Sequence, residues 1–152
     1  MVLKKLSPLL IVTGLLIDQI TKAFVIKHIS IHSSLKLTPF LKIVHIRNYG
    51  ITFGWLQNII PNNIWIFLVL VISIICFLLY WLYRSKDFLV SLSLILIISG
   101  ALGNFLDRLR LHYVVDFIDF HIKGYHWPAF NMADTFIVVG TFCIFLHTFF
   151  KK

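Results

Sequence analysis

Four apolar runs, each long enough to cross a bilayer, constrain this chain of 152 residues more than any single motif in it. They extend over residues 6–26, 64–83, 88–106 and 130–150, and about 20 helical residues suffice to span the ~30 Å of hydrocarbon. With 59% hydrophobic residues and only 13% charged ones, the chain lacks the polar surface that a water-soluble globule needs. The sequence therefore predicts an all-α integral membrane protein, a single domain of four transmembrane helices with loops over residues 28–62 and 110–129. The longer loop carries strand signals. Leu35–Ile46 is rich in Leu, Ile and Val with Lys and Thr between, Pro39 interrupts it, Asn48-Tyr49-Gly50 supplies a turn, and Ile51–Trp55 returns. A small extracytoplasmic β-sheet at the membrane interface is expected, with Trp55, Trp65, Tyr125 and Trp127 as anchors at headgroup level.

Charge orients the chain. Lys4, Lys5, Arg84, Lys86, Lys151 and Lys152 crowd into short flanks, whereas Lys27, Lys36, Lys42, Arg47, Arg110 and Lys123 are spread over the two longer loops. The positive-inside rule then makes both termini and the Arg84–Asp87 turn cytoplasmic and both longer loops external. The net charge of +8 reads as membrane flanks meeting anionic lipid. No basic stripe is interleaved with stacking aromatics, so nucleic acid is not an expected partner. The first run follows Lys4-Lys5 as a signal peptide would, but it lacks a small-x-small cleavage site and continues past Asp18, so it is expected to stay attached. Cys76 and Cys143 lie in apolar runs without CxxC spacing and read as buried thiols.

The acids are more informative than the bases. There is no glutamate, and the aspartates are Asp18, Asp87, Asp107, Asp116, Asp119 and Asp134. An ionised carboxylate within hydrocarbon costs at least about 2.5–3.5 kcal/mol. Asp18 has Lys22 four residues later on the same helical face, which favours an internal ion pair that supports packing. Gly100 and Gly103 permit close helix approach. Beyond them Asn104, Asp107 and Arg108 fall within one turn, where an Asp107–Arg108 clamp with Arg108 reaching for headgroups is the plain reading. Alternatively, Arg108 holds a substrate carbonyl or a lipid phosphate. In Val114–Phe120, Asp116 and Asp119 stand three apart on an extended stretch, so they point to opposite faces and at least one faces the protein or the membrane.

The fourth run opens with Phe130-Asn131-Met132-Ala133-Asp134, whose Asn and Asp three apart suit a reciprocal helix cap. Together with Asp116, however, Asp134 forms a pair of carboxylates among Phe, Val and Ile. Two such groups in low dielectric cannot both ionise, so one keeps a proton while the other serves as a base. That couple can activate water and protonate a peptide carbonyl, which is aspartic-protease chemistry. A zinc protease of the HExxH type is excluded by the absence of glutamate, although His112, His121 and His126 near Asp116 keep a weak metal reading. A serine protease lacks its Gly-x-Ser-Gly setting, because Ile97-Ile98 precede Ser99-Gly100. A second functional reading is a small proton-coupled transporter or channel subunit, which would distribute its acids across the bilayer.

Five blocks in order carry a resemblance over nearly the whole chain: Asp18-Gln19-Ile20-Thr21-Lys22, Asn48-Tyr49-Gly50-Ile51-Thr52-Phe53-Gly54, Gly100 to Arg108, Val115-Asp116-Phe117, and Phe130 to Asp134. On these the sequence resembles lipoprotein signal peptidase (signal peptidase II), the bacterial membrane aspartyl protease family. Ile51-Thr52 departs from the two small alanines expected there. The resemblance implies that Asp116 and Asp134 are the catalytic dyad and that Asn48, Gly50, Asn104, Arg108 and Asn131 line the site. Asp18, Lys22 and Asp107 would organise it from nearby. It also implies a monomer of the bacterial cytoplasmic (inner) membrane, acting at the outer face without a metal or other cofactor. The implied substrate is a prolipoprotein whose cysteine already carries diacylglycerol, cut on the N-terminal side of that cysteine. Membrane lipids and the cyclic peptide antibiotic globomycin are the other implied partners.

Overall fold

A computed structural model describes residues 2–50 and 64–150. Its elements in chain order are α1 (Val2–His28), β1 (Ser34–Thr38), β2 (Leu41–Asn48), α2 (Ile64–Arg84), α3 (Phe88–Leu111), β3 (Val114–Ile122), β4 (Tyr125–His126) and α4 (Met132–Phe150). The four helices are each long and apolar enough to cross a membrane. The sequence reading of a return strand over Ile51–Trp55, the anchor Trp55 and the flank Lys151-Lys152 fall outside the described residues.

The bundle buries a polar cluster beside an apolar core of Ile11, Ile75, Leu94 and Ile98, and its outer surface is apolar. Leu9, Ile20, Ile66 and Val69 are each more than 60% exposed, whereas Asp18 and Asn131 are fully buried. In water that pattern would be unstable; in lipid the outer residues are already at home and the polar ones need each other. Cys76 illustrates the rule. It was expected to be a buried thiol, yet it faces outward from α2, because an apolar side chain gains nothing by leaving hydrocarbon. Trp65, Tyr125 and Trp127 are likewise outward-facing, at 67%, 85% and 62% exposure.

Helix α3 is the hub, packed on α1, α2 and α4. Small residues make the approach possible. A Cβ on Gly100 would lie 2.2 Å from the Ala133 carbonyl oxygen of α4, and one on Gly103 would lie 2.4 Å from Asp18 Oδ2 of α1. At the start of α3, Asp87 caps the helix through Leu89 and Val90 N–H, and His147 in the last turn of α4 lies 2.9 Å from it. In α1, Pro8 withholds the N–H that the Lys4 carbonyl would use, and Ser7 Oγ donates to that carbonyl instead at 2.8 Å. Both α1 and α3 run further than the sequence suggested. The third continues to Leu111 and so carries Asp107 and Arg108 as helical residues.

The strands form one antiparallel sheet in the order β1-β2-β3-β4. Pro39 and Phe40 turn β1 into β2. Between Ile43↔Ile118 and Ile46↔Asp116 the register shifts, so β2 contains an extra residue. This bulge sets Ile46 opposite Asp116 and brings Asn48, two residues on and on the same face, beside it. Phe130 joins the far side of β3. Its carbonyl accepts from Phe117 N at 3.0 Å and Ile118 N at 2.8 Å, and its own N–H donates to the Ile118 carbonyl at 3.1 Å. The start of α4 is thereby fastened to the strand that carries Asp116.

Candidate active site

The N-terminus of α4 is where the polar groups converge. Asn131 Oδ1 accepts the Asp134 N–H at 2.9 Å, and Asp134 Oδ2 accepts the Asn131 N–H at 3.2 Å. This is the reciprocal cap the spacing suggested. The cap is only half of what these residues do. The Asn131 side-chain amide also donates to Asp116 Oδ1 at 2.7 Å and to Asn104 Oδ1 at 3.3 Å, and Asn104 donates to Asp134 Oδ1 at 2.8 Å. One buried asparagine therefore touches both carboxylates, Asp116 from β3 and Asp134 from α4. Asn48 Nδ2 holds the remaining oxygen of Asp116 at 2.9 Å.

This surrounding has an electrostatic consequence. Burial and the neighbouring Asp134 carboxylate push the Asp116 carboxyl up to about 7, against the weaker opposing pull of the Asn48 and Asn131 hydrogen bonds and the Lys22 charge. Near neutral pH Asp116 is thus poised between its acid and base forms.

A charged triad supports the pair from the bundle side. Lys22 Nζ lies 2.8 Å from Asp18 Oδ2 and 2.9 Å from Asp107 Oδ2, with all three side chains buried. It donates as well to Asn104 Oδ1 at 3.1 Å. Asp18 Oδ1 accepts the Ala133 N–H at 2.9 Å, placing a carboxylate where a helix N-terminus favours one. Asp107 Oδ2 accepts the Val115 N–H at 3.3 Å, so the triad fixes both α4 and β3. Gln19, to which the sequence reading gave no role, spans the acids. Its Nε2 donates to Asp107 Oδ1 at 2.9 Å and Asp18 Oδ2 at 3.2 Å. A glutamine beside an aspartate inside an apolar run was the available signal, since both must find polar partners in lipid.

Arg108 does not clamp Asp107, nor does it snorkel. It is 8% exposed, and Nη2 donates to the Gly50 carbonyl at 2.7 Å while Nη1 donates to the Asn104 carbonyl at 3.3 Å. Gly50 N–H in turn donates to Asn48 Oδ1 at 2.9 Å, so Arg108 secures the turn that presents Asn48. The histidines expected near Asp116 lie elsewhere. His112 forms the left-handed C-cap of α3, and His121 and His126 gather on Asp119.

Beside the two carboxylates lies a groove of about 760 Å³ between α2, α3, α4 and the segment after β4. Phe67, Val71, Ile97, Ala101, Trp127 and Val138 are among its walls, and Asn48, Asn104, Arg108, Asp116 and Asp134 are its polar rim. An apolar groove with a few convergent polar groups suits an elongated, largely apolar ligand with one polar segment.

Comparison with known proteins bears on the fold and the family. A family model described as Signal peptidase (SPase) II matches residues 10–150. The lipoprotein signal peptidase of Thermodesulfovibrio yellowstonii is 44% identical over 140 residues, covering 91% of this chain and 90% of that one. The lipoprotein signal peptidase of Coxiella burnetii is 42% identical over 135 residues, covering 88% and 83%. Among solved structures, a bacterial membrane enzyme determined by the in meso method at 2.3 Å resolution superposes with a TM-score of 0.84 at 33% identity, over 94% of this chain and 87% of the other. With a matching fold and a family model that spans all four helices, the chain belongs to the signal peptidase II family.

Proposed function

We propose that this protein is the aspartic endopeptidase that removes the signal peptide from diacylglyceryl-modified prolipoproteins, cutting N-terminal to the lipidated cysteine, with Asp116 and Asp134 as its catalytic pair. The observation that carries the reading is Asn131, which binds both carboxylates at the rim of an apolar groove. The lipid chains of the substrate lie in that groove, which leaves the peptide across the polar rim. The distribution of Lys and Arg supports cytoplasmic termini and a site at the outer face, and the protein works as a monomer.

The chemistry follows from the shared proton. Asp116, held up near 7, begins protonated and donates to the scissile carbonyl oxygen. Asp134 begins ionised at the helix N-terminus and takes a proton from the water that attacks the carbonyl carbon. The tetrahedral intermediate collapses as the carbon–nitrogen bond breaks. The proton on Asp134 passes to the departing nitrogen, which becomes the amine of the lipidated cysteine, and the hydroxyl proton returns to Asp116. Asn48, Asn104 and Asn131 hold the two acids in place throughout, and no step calls for a metal. Globomycin, a cyclic peptide, competes for the same rim and groove.

A transporter would string its acids along the bilayer as relay stations. Here Asp18, Asp107, Asp116 and Asp134 surround one helix end instead. The test is cleavage of lipidated precursor by Asp116→Asn and Asp134→Asn, with Asp119→Asn as the control. Loss of cleavage in both, retained in the control and in the presence of chelator, is expected. Substantial turnover by either pair variant refutes the assignment.

A further inference from the structure

The hairpin formed by β3 and β4 holds a second cluster that the proteolytic chemistry does not use. Lys123 and Gly124 form its two-residue turn, both with positive φ, at 49° and 88°. Two positive φ values in succession match a type I′ turn, whose twist suits a tight hairpin and fixes its register. That register pairs His121 directly with His126, so the two imidazoles share a face. Asp119, two residues before His121, lies on that face too. The rings stack with centroids 5.1 Å apart and 10° between planes.

The donor atoms converge. His126 Nδ1 lies 2.9 Å from both oxygens of Asp119, His121 Nδ1 lies 3.9 Å from Asp119 Oδ1, and one donor atom from each of the three residues falls within a 4.8 Å set. Four-coordinate zinc holds nitrogen and carboxylate oxygen at about 2.0–2.2 Å, which places neighbouring donors roughly 3.3 Å apart. An ordinary His–Asp hydrogen bond accounts for His126. It does not account for His121, whose buried Nδ1 has no hydrogen-bond partner among the described residues. A buried, unpaired imidazole nitrogen aimed at a carboxylate is costly unless something else occupies the space between them. Lys42 stands opposite Asp119 in the sheet but makes no ion pair with it within 4.0 Å among the described residues.

We propose that Asp119, His121 and His126 form a binding site for a transition-metal dication of the zinc class, with solvent completing the coordination. The site is separate from the catalytic pair, since Asp116 and Asp119 point to opposite faces of β3. Its effect is mechanical. The hairpin leads through Trp127 to Phe130 and the start of α4, and Trp127 lines the groove. A metal joining β3 to β4 therefore stiffens one wall of the substrate groove without entering the reaction.

The test uses the full chain in detergent, purified through a tag without histidines and stripped with chelator. Zinc is titrated calorimetrically, and cobalt(II) is titrated for the visible bands of four-coordinate nitrogen–oxygen ligation. The parent protein and Asp116→Asn should each bind a single ion per chain. His121→Gln and His126→Gln should bind at least about tenfold more weakly, while both retain the parent's cleavage rate in chelator. The His126 side chain is 47% exposed, so its replacement leaves the fold intact, and circular dichroism verifies this. Absence of saturable uptake by the parent, or equal affinity in the His126 variant, overturns the proposal.

Discussion

Replacing Lys22 with methionine should be the most damaging single change outside the proposed catalytic pair. The ammonium is 2% exposed and lies within 3.1 Å of Asp18, Asp107 and Asn104. With an effective dielectric of about 20, each carboxylate contact is worth roughly 6 kcal/mol gross. Desolvation of the three ions has already consumed most of that, so the relevant quantity is the cost of leaving the acids behind. Breaking a buried pair by removing one partner costs about 3–5 kcal/mol, which for a chain of this length lowers the unfolding midpoint on the order of 10 °C. The added change Asp18→Asn removes one of the two stranded carboxylates and should restore part of the loss. Thermal unfolding in detergent measures both variants, and lipoprotein precursor cleavage well below the midpoint tests function. Cleavage by Lys22→Met should fall at least about tenfold, because Asn104 loses one of the contacts that aim it at Asp134. A midpoint unchanged to within about 1 °C would refute the reasoning, since the triad would then be storing no net energy.

Cleavage should decline as pH rises through about 7, because the productive form keeps a proton on Asp116 and burial with Asp134 nearby holds its carboxyl there. The same shift favours folding below the ordinary carboxylate range, around 3.8, and that contribution is lost as pH rises through about 7. Asn48→Ala removes a hydrogen bond to the ionised form, so the alkaline limb of the pH–rate profile should move to higher pH. Gly100→Ala would drive a methyl group to 2.2 Å from the Ala133 carbonyl, a backbone atom that cannot swing aside. A loss of about 1–3 kcal/mol by thermal unfolding is expected, with slower cleavage because Asp134 follows Ala133. Arg108→Lys cannot reach the Gly50 and Asn104 carbonyls together. It should raise KM more than it lowers kcat, as the turn bearing Asn48 loosens.

Much of this was legible before any coordinates. The four spans follow from apolar run length, and the cap at Asn131 and Asp134 follows from their spacing. The Asp18–Lys22 pair follows from the helical repeat. What stayed hidden depended on distant contacts. Arg108 and Asp107 are adjacent in the chain, which suggested a clamp, yet adjacent helical residues point about 100° apart, and each found its partner on another element. Gln19 has no local reason to bridge two acids until α1 and α3 are packed through Gly103. Proximity in sequence sets His112, His121 and His126 near Asp116, whereas strand alternation and the turn at Lys123-Gly124 bring His121 and His126 to Asp119.

The double duty of Asn131 narrows what drift can tolerate at that position. Serine, threonine and aspartate begin helices as well as asparagine does, and a mutational neighbourhood judged by secondary structure would admit them all. None can take its place here. A hydroxyl has a single hydrogen for two acceptors that the amide serves with two, and a third carboxylate would repel the acids it should steady. On the proposed assignment, scaffold and chemistry thus share one codon, and substitutions there that spare the architecture should still silence the enzyme.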